Sequence, residues 1–283
     1  MVKFFPLNIL VLSCILVCSL GIGGSYQRDS ASLFASGETD TAMFQVGEEL
    51  IYNVSYLSIN IGQVKIRVVG KAYADSESYY KAIAYIDSYS GIPFVNLHAI
   101  YESNVDAKMF SRWFRSRNKD NSRWYAAEYD FNYAAGKMYI QKGFWKSDRI
   151  DVLDSLTLDT LYHDGLSLYY YARQLVRSSQ RVVTPTVIRE KKVRTIINFS
   201  GKYTKAEIDA VAYPVDVIEF DGDAEFVGIF GLTGAFEGWF SNDDARVPIL
   251  AKMKVIIGNI RIELLKWTRQ GWSPPRYAQN RSR

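Results

Sequence analysis

Cysteine and histidine are the scarcest reactive residues in this 283-residue chain, with two of each. Both cysteines, Cys14 and Cys18, lie in an apolar stretch at the start of the chain. If that stretch is removed, no cysteine remains, which excludes disulfides, thiolate nucleophiles and zinc–thiolate sites. The motifs Gly-x-Ser-x-Gly and Gly-x-Gly-x-x-Gly and the Walker loop are also missing, which argues against a serine-hydrolase elbow and the common nucleotide-binding loops.

A strong charge of one sign is missing as well, because 34 Lys and Arg stand against 30 Asp and Glu. Domains that bind nucleic acid are usually far more basic than a net charge of +4, so we expect no nucleic-acid partner. Basic residues are in local excess at 108–123 and after Glu263. Each excess is either a solvated face or a surface for an anionic lipid or polymer of the cell envelope.

The first residues have the pattern of a secretory signal: Lys3, an apolar run to Leu20, and then small residues. A retained membrane anchor is one alternative, because the run approaches the length of a spanning helix. Lipidation at Cys14 is another, although the chain stays apolar after it. We therefore expect a signal peptide over 1–24, a flexible leader over 25–43, and export to the periplasm or outer envelope of a bacterium.

From Phe44 onward, apolar and polar residues alternate with a period of two, as in Tyr52–Tyr56 and Val64–Val68. This period, together with frequent Tyr, Val and Ile, is typical of β-strands. We predict turns near Gly62, Gly136, Gly201, Gly222 and Gly258. The sequence therefore predicts a mainly β protein, a large and strongly twisted antiparallel sheet or partly open barrel, as one domain over 44–268. Residues 269–283 are expected to form a loose basic tail.

One segment, Leu161–Arg177, departs from this period and spaces its apolar residues as a helix does. Asp164 is placed to accept hydrogen bonds from the first turn as the N-cap. Arg173 and Arg177 lie near the other end, where the helix dipole favours cations. We expect one central helix, over about 161–177, that packs against the sheet.

Pairs of titratable residues give only weak indications of catalysis. His163 and Asp164 are adjacent and would not face each other on a helix, so the capping role explains Asp164 without chemistry. Carboxylates occur close together at Asp221, Asp223 and Glu225 and again at Asp243 and Asp244. Turns and strand ends explain these carboxylates, although a calcium site or a pair of glycosidase carboxylates could be built from them. We predict no catalytic residue, no metal site and no cofactor.

Aromatic residues are unusually frequent, with 20 Tyr, 15 Phe and 6 Trp. Cross-strand pairs in a β core account for many of them. The alternative is an aromatic-lined groove or cavity for a lipid or glycan. Because Trp113, Arg115, Trp124 and Trp145 lie in or near the basic stretch, we name these four as candidate ligand-binding residues.

Three stretches together resemble an exported bacterial family, the domain of unknown function 3108 (DUF3108). They are Phe44–Tyr52 (FQVGEELIY), His163–Arg173 (HDGLSLYYYAR) and Trp239–Pro248 (WFSNDDARVP). The resemblance covers about Phe44 to Trp267. It implies an export signal and a twisted β-rich fold with little helix, and it carries over no catalytic residue.

The sequence thus predicts an exported envelope protein with a non-enzymatic role, which binds a lipid-like or polymeric envelope ligand or supports assembly. Membrane association would be peripheral after cleavage of the signal. Two alternatives stay open: an enzyme that acts on envelope glycans through paired carboxylates, and a structural module that recruits a partner by strand addition at a sheet edge.

Overall fold

The computed structural model describes residues 43–74, 77–92, 95–227, 233–255 and 258–278. The predicted signal peptide and nearly all of the predicted leader lie outside these residues. The described chain forms fourteen strands and one helix. They are β1 (Glu49–Tyr56), β2 (Ile59–Ala74), β3 (Glu77–Ser88), β4 (His98–Asp106), β5 (Ser111–Asp120), β6 (Arg123–Asn132), β7 (Lys137–Phe144), β8 (Val152–Thr157), α1 (Gly165–Leu175), β9 (Arg181–Ile188), β10 (Lys191–Ala206), β11 (Val215–Val227), β12 (Thr233–Ser241), β13 (Pro248–Lys254) and β14 (Asn259–Thr268).

All fourteen strands belong to one antiparallel sheet in the order β8-β7-β6-β5-β4-β3-β2-β1-β14-β13-β12-β11-β10-β9. Two meanders, β1–β8 and β9–β14, are joined where β1 pairs with β14. Strands β8 and β9 lie at the two edges, so among the described residues the sheet does not close into a barrel. The predicted fold class, a twisted antiparallel sheet with one central helix, is confirmed.

The sheet curls so that β9 packs over the inner face of β5–β7. Val187 of β9 belongs to the same buried cluster as Phe114, Tyr129 and Met138. At the β9–β10 turn, the Lys142 ammonium lies 2.8 Å from the Glu190 carboxylate. This curl covers apolar surface that a flat sheet would leave exposed to water.

Helix α1 lies across one end of the curled sheet and closes it. At its N-terminus, Asp164 binds the hydroxyls of Ser103 in β4 and Ser111 in β5. Near its C-terminus, Arg173 donates to the carbonyls of Ala245 and Arg246, in the β12–β13 turn. The largest buried cluster, which includes Tyr170 and Leu264, fills this end. We call it the closed end, and the end with the β1–β2 and β13–β14 turns the open end.

The helix prediction is confirmed, with two adjustments at its ends. Asp164 is the N-cap and Ser167 completes a capping box. The chain before it is extended instead, because His163 forms a parallel bridge with Thr186 of β9. Arg173 was expected to be a cation at the helix terminus, but it is fully buried. Among the described residues, no helix is long and apolar enough to cross a membrane.

Residues 269–278, the first ten of the predicted loose tail, pack against the rest of the protein instead of forming a loose segment. The Trp267 indole N–H donates to the carbonyl of Trp272, and the Trp272 indole donates to Asp243. Arg276 forms a bridge with Val215 at the start of β11. Packing against the closed end therefore orders a segment whose Pro and Gly content suggested a loop.

Candidate functional site

A cavity of about 330 Å³ lies between α1 and the inner face of the sheet. We call it the interior cavity. Leu168, Tyr169 and Ala172 of α1 form one side, and strands β1, β2 and β10–β14 form the other. Its size reaches the lower range of pockets that hold small ligands.

Two glycines shape the wall of the interior cavity. A Cβ added to Gly238 would lie 2.4 Å from the Phe220 ring, and one added to Gly222 would lie 2.2 Å from the Phe236 ring. Each ring therefore lies against a glycine of the neighbouring strand, at a distance where any side chain would clash with it. We predicted a turn at Gly222, and that prediction is wrong because the residue lies inside β11.

Polar groups are few in the wall of the interior cavity. The Tyr52 and Tyr169 hydroxyls lie 3.1 Å apart and form a hydrogen bond. Burial raises the pKa of Tyr169 to about 12, so both hydroxyls stay neutral at physiological pH. The Thr195 hydroxyl is 3.1 Å from that of Thr186. This wall offers apolar contact and no acid–base pair.

Charged residues lie only where the interior cavity meets solvent. Lys254 and Glu237 belong to the lining and are exposed, and so is Ala235. Glu237 pairs with Lys252 at 3.0 Å. Ala235 and Lys254 lie towards the open end of the sheet, whereas α1 blocks the closed end. The cavity therefore opens towards the β11–β12 and β13–β14 connections.

A buried ion pair fixes α1 at the closed end. The Arg173 guanidinium is 2.7 Å from the Glu48 carboxylate, and both side chains are almost fully buried. Arg269 also binds Glu48, and both arginines donate to the carbonyl of Met43. Burial raises the pKa of Glu48, but the two guanidinium groups more than offset it and hold that pKa below 4.5.

His163 and Asp164 are both buried, and each has a structural role. The His163 ring stacks on Phe110 and contacts Tyr171, and its Nδ1 bonds to the carbonyl of Met109. Its Nε2 has no hydrogen-bond partner among the described residues. Asp164 accepts two serine hydroxyls and two backbone N–H groups, as its role as N-cap requires.

We expect stability to fall as the pH drops below 6.5, because of His163. Burial lowers the pKa of its imidazole to about 3, so the folded state holds it neutral while the unfolded chain takes up a proton near pH 6.5. Below that pH the folded state loses about 1.4 kcal/mol per pH unit relative to the unfolded chain. Urea unfolding between pH 7 and 5 measures this slope.

The other histidine provides the control for this experiment. His163→Phe removes the titrating group, so the free energy of unfolding should depend less on pH between 7 and 5. The variant also removes the hydrogen bond to the carbonyl of Met109. His98→Asn leaves His163 and its buried surroundings unchanged, so the loss of stability at low pH that is assigned to His163 should remain. An unchanged slope in His163→Phe would assign the acid sensitivity to other groups.

The structure brings together three of the four predicted ligand-binding residues on the outer face of the sheet. The Arg115 guanidinium contacts two indoles, 4.7 Å from the Trp113 ring centre and 4.8 Å from that of Trp145. Glu128 accepts from both Arg115 and the Trp113 indole, at 2.7 and 2.9 Å. The cation–π stack is therefore held by a carboxylate of the protein itself.

The rest of the basic stretch is also partly neutralised. Arg117 stacks on Trp145 at 4.7 Å and pairs with Glu102 at 2.9 Å. The backbone carbonyl of Trp124 accepts a hydrogen bond from the backbone N–H of Trp145. The Trp124 side chain is half-buried. Ligand binding by these four residues stays a prediction.

Three of the acidic residues that could have formed a glycosidase pair, Asp221, Asp243 and Asp244, have separate partners. Asp221 accepts from Asn198, and Asp244, at 90 % exposure, pairs with Arg177. Asp243 accepts from Ser241, the Arg246 N–H and Trp272, so it stabilises the β12–β13 turn. No group of three or more His, Cys, Asp or Glu among the described residues is arranged to hold a metal ion.

Sequence reasoning allowed for an aromatic-lined groove or cavity, but it missed the residues that line the interior cavity. The signal for it was present, because Gly222 and Gly238 interrupt strands that carry Phe220 and Phe236 at the same spacing. Only the register of β11 with β12, which places Phe220 opposite Gly238 and Gly222 opposite Phe236, shows that these pairs build one wall.

The fold and site together define a class: an open, curled antiparallel sheet with one end closed by a helix and an apolar cavity inside. Comparison with protein families gives a match over residues 51–265 to the model described as a protein of unknown function, DUF3108. The chain belongs to the DUF3108 family.

Comparison with solved structures gives two matches of low similarity. One is a beta-barrel-like protein of the DUF1849 family from Brucella abortus, with 13% identity, a TM-score of 0.48, and coverage of 78% of this chain and 97% of that one. The other is described as an exported protein with a YmcC-like fold from Bacteroides fragilis. It has 7% identity and a TM-score of 0.33, and the match covers 80% of this chain and 97% of that one. No curated protein sequence matches the chain.

Proposed function

We propose that this protein works in the bacterial cell envelope and binds one apolar chain of a lipid-like molecule in the interior cavity, without changing it chemically. The observation that carries the proposal is the cavity of about 330 Å³ with an almost wholly apolar wall. The signal-like residues 1–24 support the location.

The cavity favours an apolar chain for an energetic reason. About ten methylenes buried at about 0.8 kcal/mol each would contribute roughly 8 kcal/mol. Ordering the chain and the protein uses part of that gain. A polar glycan would instead leave hydroxyls against Phe220, Phe236 and Leu168 without hydrogen-bond partners, which is unfavourable.

Strand addition at a sheet edge is a second candidate, and one observation favours it. The β9 edge is occupied, because the His163 N–H donates to the carbonyl of Pro185 and the His163 carbonyl accepts from Val187. Strand β8 is mostly exposed and contains no proline, and its Leu153 is 78 % exposed. An edge of this kind is suited to pairing with a strand from another protein.

Native mass spectrometry of protein extracted gently from its own envelope tests the cavity directly. We expect wild-type protein to carry a reproducible added mass in the lipid range. Ala251→Phe places a ring in the cavity from the inner face of β13, so it should remove that mass. It should also weaken binding of the apolar fluorophore N-phenyl-1-naphthylamine by about tenfold.

Ala126→Phe is the matched control, because Ala126 of β6 is half-buried and does not line the cavity. It adds the same volume and should keep both the added mass and fluorophore binding. Thermal unfolding of both variants checks the fold. Wild-type protein without an added mass would count against the proposed function. So would binding of the fluorophore by Ala251→Phe as tight as by wild type. The same spectra give the N-terminal mass and so determine whether the signal is cleaved or acylated.

A further inference from the structure

The hairpin turns at the open end carry apolar side chains that point into solvent. Of the four described aliphatic residues that are more than half exposed, Leu57 and Ile59, at 63 and 59 %, lie together at the β1–β2 hairpin. Ile92, after β3, and Val255, after β13, are half-buried at the same end, where they pack against the cluster of Val54, Ile61 and Ile260. The β1–β2 and β13–β14 turns touch, because a Cβ on Gly258 would lie 3.3 Å from Leu57.

The backbone of the β1–β2 turn makes Leu57 a poor choice for stability. Leu57 and Ser58 have φ values of 47° and 65° and form the two-residue loop between Tyr56 and Ile59. Both central residues of such a turn favour Asn, Asp or Gly, and a bulky side chain there is strained. A strained, exposed leucine at a hairpin tip suggests a role outside the fold.

The closed end has a different character. Its β12–β13 turn contains Asn242, Asp243 and Asp244 as well as Arg246, and its β10–β11 connection carries Glu207 and Asp209. The apolar tips therefore lie at the end to which the interior cavity opens. A lipid that enters the cavity from a bilayer would pass these tips.

Exposed lysines at the open end indicate which kind of surface would cover the apolar tip formed by Leu57 and Ile59. Lys254 is exposed directly before Val255, and Lys119 and Lys191 are exposed beside the β5–β6 and β9–β10 turns at the same end of the sheet. Exposed aliphatic side chains and lysines at the same end of the sheet match a membrane interface with anionic headgroups, in which apolar side chains enter the acyl region and ammonium groups meet phosphates.

We infer that the open end docks on an anionic bilayer surface through Leu57 and Ile59, with Lys254 at the headgroups. This inference deepens the proposed function, because docking would present the mouth of the interior cavity to lipid. Leu57 and Ile59 do not line the interior cavity, so docking through them and binding in the cavity are measured separately.

Co-sedimentation with vesicles of phosphatidylglycerol and phosphatidylethanolamine tests the inference, with all variants purified in the same processed form. Wild type should bind them and should bind phosphatidylcholine vesicles more weakly. The double variant Leu57→Asn/Ile59→Thr should bind the anionic vesicles at least about tenfold more weakly than wild type. Its melting temperature should stay equal or rise, because Asn suits the left-handed position.

Val46→Asn is the control, since Val46 is 55 % exposed at the closed end and should not affect vesicle binding. Equal binding by the double variant and wild type, or no binding by wild type, overturns the inference. A wild-type dimer that the double variant converts to a monomer in light scattering also overturns it, because a second copy would then cover the tips. Ala251→Phe should still bind vesicles, so failure of the cavity proposal is distinguished from failure of docking.

Discussion

Replacement of Arg173 by Met is expected to lower the free energy of unfolding by about 3–5 kcal/mol. The variant leaves the Glu48 carboxylate buried, with Arg269 as its remaining guanidinium partner. It also leaves the carbonyls of Ala245 and Arg246 without the donors that Arg173 supplies. Urea unfolding followed by tryptophan fluorescence measures the change.

Arg177→Met is the matched control one turn further along the chain. Arg177 pairs with Asp244, whose side chain is 90 % exposed, and exposed pairs contribute little. We expect a change of about 0.5 kcal/mol or less. Similar losses in the two variants would mean that burial does not set the strength of the Arg173 pair.

The same ion pair makes a prediction about acid. Because the pKa of Glu48 is held below 4.5 in the folded state, its contribution to stability is complete above pH 4.5. That contribution is lost as the pH falls through the folded pKa. In Arg173→Met we expect a smaller loss of stability below pH 4.5 than in wild type, measured by urea unfolding at pH 5 and 3.5.

Asp164→Ala is expected to have the second largest effect, a loss of about 3–5 kcal/mol. One oxygen of this carboxylate accepts the Ser103 and Ser111 hydroxyls, and the other accepts the N–H groups of Leu166 and Ser167. Alanine would leave these buried donors unsatisfied and would remove the N-cap of α1. Because α1 closes the end of the interior cavity, binding of N-phenyl-1-naphthylamine should weaken as well.

Two variants separate the capping role from general loss of charge. Asp164→Asn keeps an oxygen that can cap the helix, so it should lose about half as much as the alanine variant. Asp159→Ala removes an exposed carboxylate that pairs with Lys192 and accepts the Tyr162 hydroxyl, and we expect a change of about 1 kcal/mol or less. An alanine variant at position 164 as stable as wild type would show that the cap does not hold α1 in place.

The helix and its cap could be predicted from the sequence because their signals are local. The spacing from Leu161 to Arg177 and the position of Asp164 involve residues within a few turns of one another. Arg173 shows where such reasoning ends. Its place near a helix terminus suggested a solvated cation, but its partner Glu48 is 125 residues away, and no local pattern connects them.

The glycines illustrate the same limit. Gly136 and Gly258 lie at turns between strands, as predicted, whereas Gly62 and Gly222 lie inside β2 and β11. A glycine in the sequence indicates either a turn or the close approach of a neighbour. The choice depends on what lies opposite, which for Gly222 is the ring of Phe236.

The sequence by itself determined that the chain is built of antiparallel strands and one capped helix, because alternation, helical spacing and capping act over a few residues. Tertiary structure alone decided that β1 pairs with β14, that α1 closes one end, and that the phenylalanine rings over Gly222 and Gly238 line a cavity. These features depend on strand register and on how far the sheet curls, both set by packing between residues far apart in the chain. The candidate site therefore came from the fold and could not be found by motif.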